Sequence, residues 1–278
     1  MESNNILFCI VCFREKFWET ESFRDLVNSY QISQSQLNLN IHVFDNTDIE
    51  KWSIEDYVPI YNINIHYTHN SKNPGISAAF NYFANFANEK AFEWLVFLDQ
   101  DTTLPRCFYQ TYLDNTKHIK NNWIAFPLVS TTKCLISPSY YFLYRTKVIK
   151  KELLNEIELN SVTAINSGLM IKTQKFLEYG GYNENLRIDF CDHEFIERLN
   201  GKKIFATILA VNLQQDFSAE TNNKKKSIER YKMYTKDLKN YRKNKNKLLF
   251  FLRVDFPRLL KEIYKNKSLE FLKIRLDA

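Results

Sequence analysis

Glycine is scarce, with five residues in a chain of 278. A P-loop or a dinucleotide fingerprint needs several glycines within a few positions, and no such cluster occurs. Phosphate recognition, if present, must therefore rely on side chains, a metal or isolated backbone contacts. Cysteine also numbers five, at 9, 12, 107, 134 and 191. The odd, scattered set argues against a disulfide framework and for a reducing compartment. Cys9 and Cys12 form one CxxC inside the apolar run ILFCIVCF, and no second pair completes a zinc ribbon. Both are predicted to be buried core thiols. No run approaches the roughly 20 apolar residues of a membrane span, and the amino terminus, MESNN, lacks the character of a secretory signal. These features predict a cytoplasmic protein whose contact with membrane would be peripheral, at the inner face.

Hydrophobic residues make up 45% of the chain and aromatic residues 15%, which is enough to build a real core and argues against wholesale disorder. The net charge of +6 is uneven. Residues 221–278 hold 18 Lys and Arg against 6 Asp and Glu, so this segment carries +12 and the preceding 220 residues carry −6. A basic tail on an acidic body suits an anionic partner or a solvated helical face.

The pattern along the chain is that of an α/β protein. ILFCIVCF (6–13) reads as a strand buried on both faces, and a helix follows over about 19–30. NIHVFDN (40–46) and NINIHYTHN (62–70) read as strands. In 73–90, apolar positions 76, 79, 80, 83, 86 and 87 mark a helical stripe with Pro74 near its start. FEWLVFL (92–98) is the next buried strand. The order β-α-β-β-α-β predicts a mostly parallel central sheet flanked by helices. Further strands are expected at 123–130, 163–171 and 203–214. A short helix is expected within 186–203, stopped at Gly201. From Lys224 onward the chain reads as helical, broken near Pro257. This gives a catalytic domain over 1–220 and a basic helical segment over 221–278.

The strand at 92–98 runs into Asp99 and Asp101, with one residue between them. Two anions at one point require a neighbouring cation or a shared proton. In parallel sheets ligands bind beyond the carboxyl ends of the strands, and Asp45 closes the second strand at that same edge. Three readings follow. An Asp-x-Asp can hold a divalent cation that bridges a sugar diphosphate. A phosphatase of the haloacid-dehalogenase type also has Asp-x-Asp-x-Thr after a strand, with Asp99 as nucleophile, but there the strand opens the domain and here three strands precede it. Thirdly, Asp101 or Thr102 could simply start a helix near Arg106.

Four stretches, in order, resemble inverting glycosyltransferases of family 2, which have the GT-A fold, and most of all their bacterial rhamnosyltransferase branch. VFDN (43–46) is similar to the segment that contacts the nucleoside, and NPGISAAFN (73–81) to the segment near the nucleotide sugar. FLDQD (97–101) is similar to the metal motif, and IDFCDHEFIERL (188–199) to the stretch that supplies the catalytic base. The resemblance covers about 5–220. It implies Asp101, with Asp99, as ligands of Mg²⁺ or Mn²⁺. It places Asp45 and Asn46 on the nucleoside, Asn73, Gly75 and Asn81 near the donor, and Ser167 and Gly168 along the sugar or acceptor side. Asp192 is the expected base and Glu194 the runner-up, while Asp189 could cap the helix and His193 line the pocket. Arg198 either meets the diphosphate or forms a surface ion pair. In QQDFS (214–218), Gln215 stands where the family often has a metal-binding His. An amide oxygen binds Mn²⁺ more weakly than an imidazole does, which favours a degenerate, non-catalytic binding protein as the alternative.

The implied partners are a dTDP- or UDP-sugar, with rhamnose suggested by the Asp-Gln-Asp spelling, and a glycan or lipid-linked acceptor of surface polysaccharide synthesis. The Lys- and aromatic-rich tail matches an anionic membrane surface. No nucleic-acid-binding module is visible.

Overall fold

The computed structural model describes residues 5–48, 54–119, 122–149, 155–215 and 223–277. Strands β1 (Ile6–Cys12), β2 (Leu39–Asp45), β3 (Ile63–His69) and β4 (Trp94–Asp99) alternate with helices α1 (Glu21–Ser33) and α2 (Ile76–Glu89). Then come β5 (Thr102–Thr103), α3 (Phe108–His118), β6 (Ile124–Ser130), β7 (Leu135–Ser137), β8 (Ser139–Phe142), β9 (Arg145–Val148), β10 (Glu156–Glu158), β11 (Val162–Thr163) and β12 (Met170–Lys172). The chain continues through α4 (Thr173–Glu178), α5 (Cys191–Leu199) and β13 (Phe205–Gln215) to α6 (Lys224–Tyr241), α7 (Lys247–Phe250), α8 (Phe256–Asn266) and α9 (Glu270–Asp277).

The main sheet runs β10-β13-β6-β12-β4-β1-β2-β3. β1 is an interior strand, parallel to both β2 and β4, which is why its sequence is continuously apolar rather than alternating. Its side chains divide between two cores. Leu7, Cys9 and Val11 face α2 and its neighbours, whereas Ile6, Phe8, Ile10 and Cys12 face the layer of α1 and α3. Cys9 and Cys12 therefore point to opposite faces of the sheet as free, buried thiols. This arrangement is a mixed, mostly parallel α/β sheet of the GT-A type, with helices following at the carboxyl end of the chain.

Two expectations change. The strand anticipated at 163–171 is two short strands, β11 and β12, because Asn166, Ser167 and Gly168 leave the ladder between them. β12 then enters the sheet antiparallel to both β4 and β6. Gly168 has φ +79°, and a Cβ there would meet Leu213, Pro127 and the Tyr112 hydroxyl at 2.5–2.7 Å. Its need for glycine thus comes from the core beneath the loop, not from a ligand. The tail is interrupted before Pro257, by a 3-10 turn at Arg242–Asn244 and a π turn at Phe251–Asp255. Pro257 is the second residue of α8, directly after the π turn.

α6 packs directly on the body. Tyr231, Tyr234, Leu238 and Tyr241 belong to the same core cluster as α2, β4 and α5. Among the described residues no helix is long and apolar enough to cross a membrane.

Candidate active site

A cavity of about 670 Å³ opens at the carboxyl edge of β1 and β4. It is walled by residues from the segments after β1, β2 and β4, the start of α2, the 165–167 loop, the start of α5, the end of β13 and one face of α6.

Asp99 and Asp101 border this cavity, and the turn that carries them is held from below. The Ser22 hydroxyl, at the start of α1, lies between the carbonyls of Asp99 and Thr102 and accepts from the Thr102 N–H at 3.2 Å. Ser22 N–H in turn donates to the Gln100 carbonyl at 3.2 Å. The Gln100 side chain accepts from the Phe13 N–H at 2.6 Å and donates to Glu15 at 3.0 Å. Gln100 therefore ties the β4 turn to the segment leaving β1, a role that sequence reasoning did not assign it.

The Ser167 hydroxyl donates to Asp99 Oδ2 at 2.8 Å and also lies against Gln215 Oε1. The Gln215 amide donates to the same carboxylate oxygen at 3.4 Å. Burial raises the pKa of Asp99, the Ser167 and Gln215 bonds oppose this, and the Asp192 charge adds to it. Burial pushes the Asp101 carboxyl up to about 6, reinforced chiefly by the charge on Asp99. Such an uncompensated anionic pair is what a hard divalent cation would relieve. The two carboxylates fit Mg²⁺ or Mn²⁺, ions that take one or two carboxylates and fill their remaining positions with phosphate and water. Among the described residues no three His, Cys, Asp or Glu side chains converge as a metal cluster, and Gln215 turns its amide nitrogen, not its oxygen, toward Asp99. Asp216 to Ser218, in the stretch quoted above, lie outside the described residues.

Asn46 lines the cavity, and its buried carboxamide oxygen has no hydrogen-bond partner among the described residues. Asp45 lies just beneath. Its two oxygens accept from the Thr47 N–H and the Tyr67 hydroxyl, each at 2.8 Å, and it is absent from the cavity wall.

Asn73 and Gly75 also line the cavity. They are clamped to the segment preceding α5: Arg187 donates to the carbonyls of Asn73 and Pro74, and Ile76 N–H donates to the Arg187 carbonyl at 2.7 Å. Gly75 has φ +101°, and a Cβ there would run into that carbonyl. Asn81 faces elsewhere: it brackets Tyr182 through both backbone groups and meets Glu184 at 2.9 Å. It holds the 181–184 loop rather than a cavity wall.

Asp192 borders the cavity at the start of α5 and accepts from the His193 N–H at 2.7 Å. Glu194 lies outside the cavity wall, paired with Arg198 at 2.9 Å. Arg198 also donates to the carbonyls of Tyr179 and Gly181, which makes it a clamp on that turn, away from any diphosphate in the cavity. Asp189 does not cap α5, whose capping position is Phe190 with φ +68°. Instead its carboxylate takes a bidentate pair from Arg230 at 2.5 and 2.7 Å. His193 lies off the cavity, against the Thr163 hydroxyl and stacked on Tyr141.

Sequence reasoning missed the α6 wall entirely. Lys226, Glu229, Arg230 and Met233 close the cavity opposite the sheet, and Arg14, ion-paired with Asp48 at 2.5 Å, borders it from the segment after β1. The signal for α6 was the basic charge of 221–278, which fits an anionic ligand in this cavity as well as a partner outside.

A family model described as Glycosyl transferase family 2 matches residues 8–179. Among curated proteins none matches the sequence. Solved structures do. GalNAc-T7 with UDP, GalNAc and Mn²⁺ is 15% identical with a TM-score of 0.59, over 76% of this chain and 42% of that one. TarS of S. aureus is 13% identical with a TM-score of 0.55, over 97% of this chain and 49% of that one. The mannosyltransferase PcManGT of Pyrobaculum calidifontis, in complex with GDP-Man and Mn²⁺, is 11% identical with a TM-score of 0.53, over 95% and 72%. The chain thus spans less than half the length of the first two, and at these identities the likeness concerns the fold.

Proposed function

Because the chain belongs to glycosyl transferase family 2, we propose that it moves a sugar, with inversion, from a nucleotide-diphosphate donor to a glycan or lipid-linked acceptor hydroxyl. The observation that carries this reading is the meeting of Asp99, Asp101 and Asp192 at one cavity that Asn46, Asn73 and Gly75 also line. Family membership sets the phosphatase alternative aside.

The division of labour follows from position. Asp192 comes from α5 and the Asp99–Asp101 pair from the β4 turn, so base and metal site are carried by separate elements. The Asp192 carboxylate takes the acceptor hydroxyl's proton as its oxygen attacks the anomeric carbon. The unpartnered Asn46 carboxamide oxygen is available to a donor N–H or O–H of the nucleoside. Asp45 supports Asn46 from beneath by fixing the Thr47 turn. Lys226 supplies positive charge along the cavity wall for the diphosphate, while Arg230 and Arg14 carry their charge already paired with Asp189 and Asp48. Mg²⁺ or Mn²⁺ held by Asp101 and Asp99, with Gln215 at hand, would neutralise the departing diphosphate. UDP and GDP-mannose with Mn²⁺ in the similar folds support a nucleotide-sugar donor. The Asp-Gln-Asp spelling favours dTDP-rhamnose and a role in bacterial surface polysaccharide synthesis.

The test is a thermal-shift screen of dTDP, UDP, GDP and their sugars with and without Mn²⁺ or Mg²⁺. One nucleotide class should stabilise the protein in a metal-dependent way, and Asp101→Ala should abolish the effect. Asp192→Asn should retain the shift while transfer falls by about 10²- to 10⁴-fold. Metal-dependent binding with no turnover on any donor would instead identify a binding protein, and no shift with any nucleotide would defeat the reading.

A further inference from the structure

The outer side of the carboxyl-terminal helices carries an apolar stripe that no other described residue covers. From α7 through α8, Leu248, Leu252, Phe256, Leu260 and Tyr264 recur every four residues. Each is exposed, from 40% at Phe256 to 69% at Leu248 and 87% at Tyr264. The inner side of the same helices already has its partners: Phe250 and Leu259 are buried in the main core. The stripe is therefore a second apolar face, not the packing face of an amphipathic helix.

Its charge surroundings are one-sided. Lys247 and Lys261 are exposed, and Arg253 is partly exposed. The only acids between 245 and 268 are Asp255 and Glu262. Both are buried, Asp255 paired with Arg275 at 2.5 Å and Glu262 with Arg258 at 2.7 Å. The outward field of this face is thus cationic. The tip of the β8–β9 hairpin adjoins it, since Arg253 donates to the Leu143 carbonyl at 3.2 Å and the Asn246 N–H to the Tyr144 hydroxyl at 3.1 Å. There Phe142 is 69% exposed.

We propose that this face docks on an anionic lipid surface, with the Leu248–Tyr264 stripe entering the headgroup–acyl boundary and the flanking Lys and Arg meeting lipid phosphates. An apolar stripe alone would fit many partners, but its combination with cations and no outward acid selects a negatively charged, fluid apolar one. β8, the strand leading into the hairpin, also carries Tyr141, whose ring stacks on His193 beside Asp192. The docking face and the reaction site thus share an element, as suits a lipid-linked acceptor. Docking itself does not depend on the sugar transferred, so failure here would leave transfer to a soluble acceptor intact.

The experiment is co-sedimentation of the full chain with phosphatidylglycerol–phosphatidylcholine vesicles and with pure phosphatidylcholine vesicles, at low and high salt. The protein should sediment with the anionic vesicles only, and less at high salt. Leu252→Ser with Phe256→Ser, and separately Lys247→Glu with Lys261→Glu, should each weaken binding by roughly tenfold or more without lowering Tm. Val58→Ser with Tyr61→Ser, exposed apolar residues elsewhere, should leave binding unchanged. Equal binding to both vesicle types, wild-type binding by the two stripe variants, or no binding at all would overturn the proposal. So would a wild-type dimer in ultracentrifugation that the stripe variants dissociate, since a second copy would then cover the face.

Discussion

A buried histidine illustrates what a single side chain does to the whole protein. His42 points from β2 into a cluster with His66, Phe83 and Phe86, ring centroids 4.3–5.8 Å away. Nε2 meets the Thr68 hydroxyl at 3.0 Å and Nδ1 is unpartnered. Burial, and next the neighbouring His66, lower its pKa to about 3. Burial and Lys90 lower that of His66 as well. The unfolded chain takes up these protons near the ordinary histidine pKa and the folded one does not. Stability is therefore undiminished above about pH 6.5 and falls as the pH drops toward 3. His42→Phe should flatten this decline in Tm across that window, and an unchanged pH profile would show that other groups govern acid unfolding. Nothing in NIHVFDN announces such a role, because the pKa depends on rings contributed by β3 and α2.

At the scale of elements, the site is an assembly of segment ends, and the ties between them are specific. The second and fourth motif segments are separate in sequence but form one unit, because Arg187 grips the Asn73–Pro74 carbonyls and Ser77 donates to the Leu186 carbonyl. From the far side, Asp237 of α6 accepts the N–H groups of Arg187, Ile188 and Asp189 at 2.9–3.0 Å. Asp237→Ala would leave these donors without their anionic acceptor and should cost roughly 2–4 kcal/mol, read by urea unfolding. It should also reduce donor affinity by loosening the walls that carry Gly75 and Asp192. A stability loss below ~0.5 kcal/mol would mean that water replaces the carboxylate. Strand and helix positions were legible from periodicity. These cross-ties were not, since short polar side chains bonding distant backbone leave no period in a sequence.

For the molecule as a whole, the question is whether residues 1–220 stand alone. Tyr231, Tyr234, Leu238 and Tyr241 fill a core shared with α2 and α5, and Phe250, Leu259 and Phe271 extend it. A chain ended at 220 would expose the apolar surface they cover and lose the Lys226–Arg230 wall. We expect it to be insoluble or to unfold without cooperativity, as judged by circular dichroism melts. A soluble, cooperatively folding 1–220 fragment would show instead that the tail is an appendage.

Periodicity and residue chemistry along the chain were enough to place the parallel β-α-β-β-α-β start, the strand ending in Asp99 and Asp101, the scarcity of phosphate-binding glycines and the basic carboxyl end. These follow from local rules: which residues alternate, which repeat every 3.6 positions, and which carry charge. Folding in three dimensions settled which polar residues share a cavity. It sent Asn81 and Arg198 to hold loops, paired Glu194 with Arg198, spent Asp189 on Arg230, brought Asp192 and Asp99 to one cavity, and turned one face of the basic tail into a cavity wall. Each of these outcomes depends on which side of an element a residue faces and on what packs there, and that is set by long-range contacts.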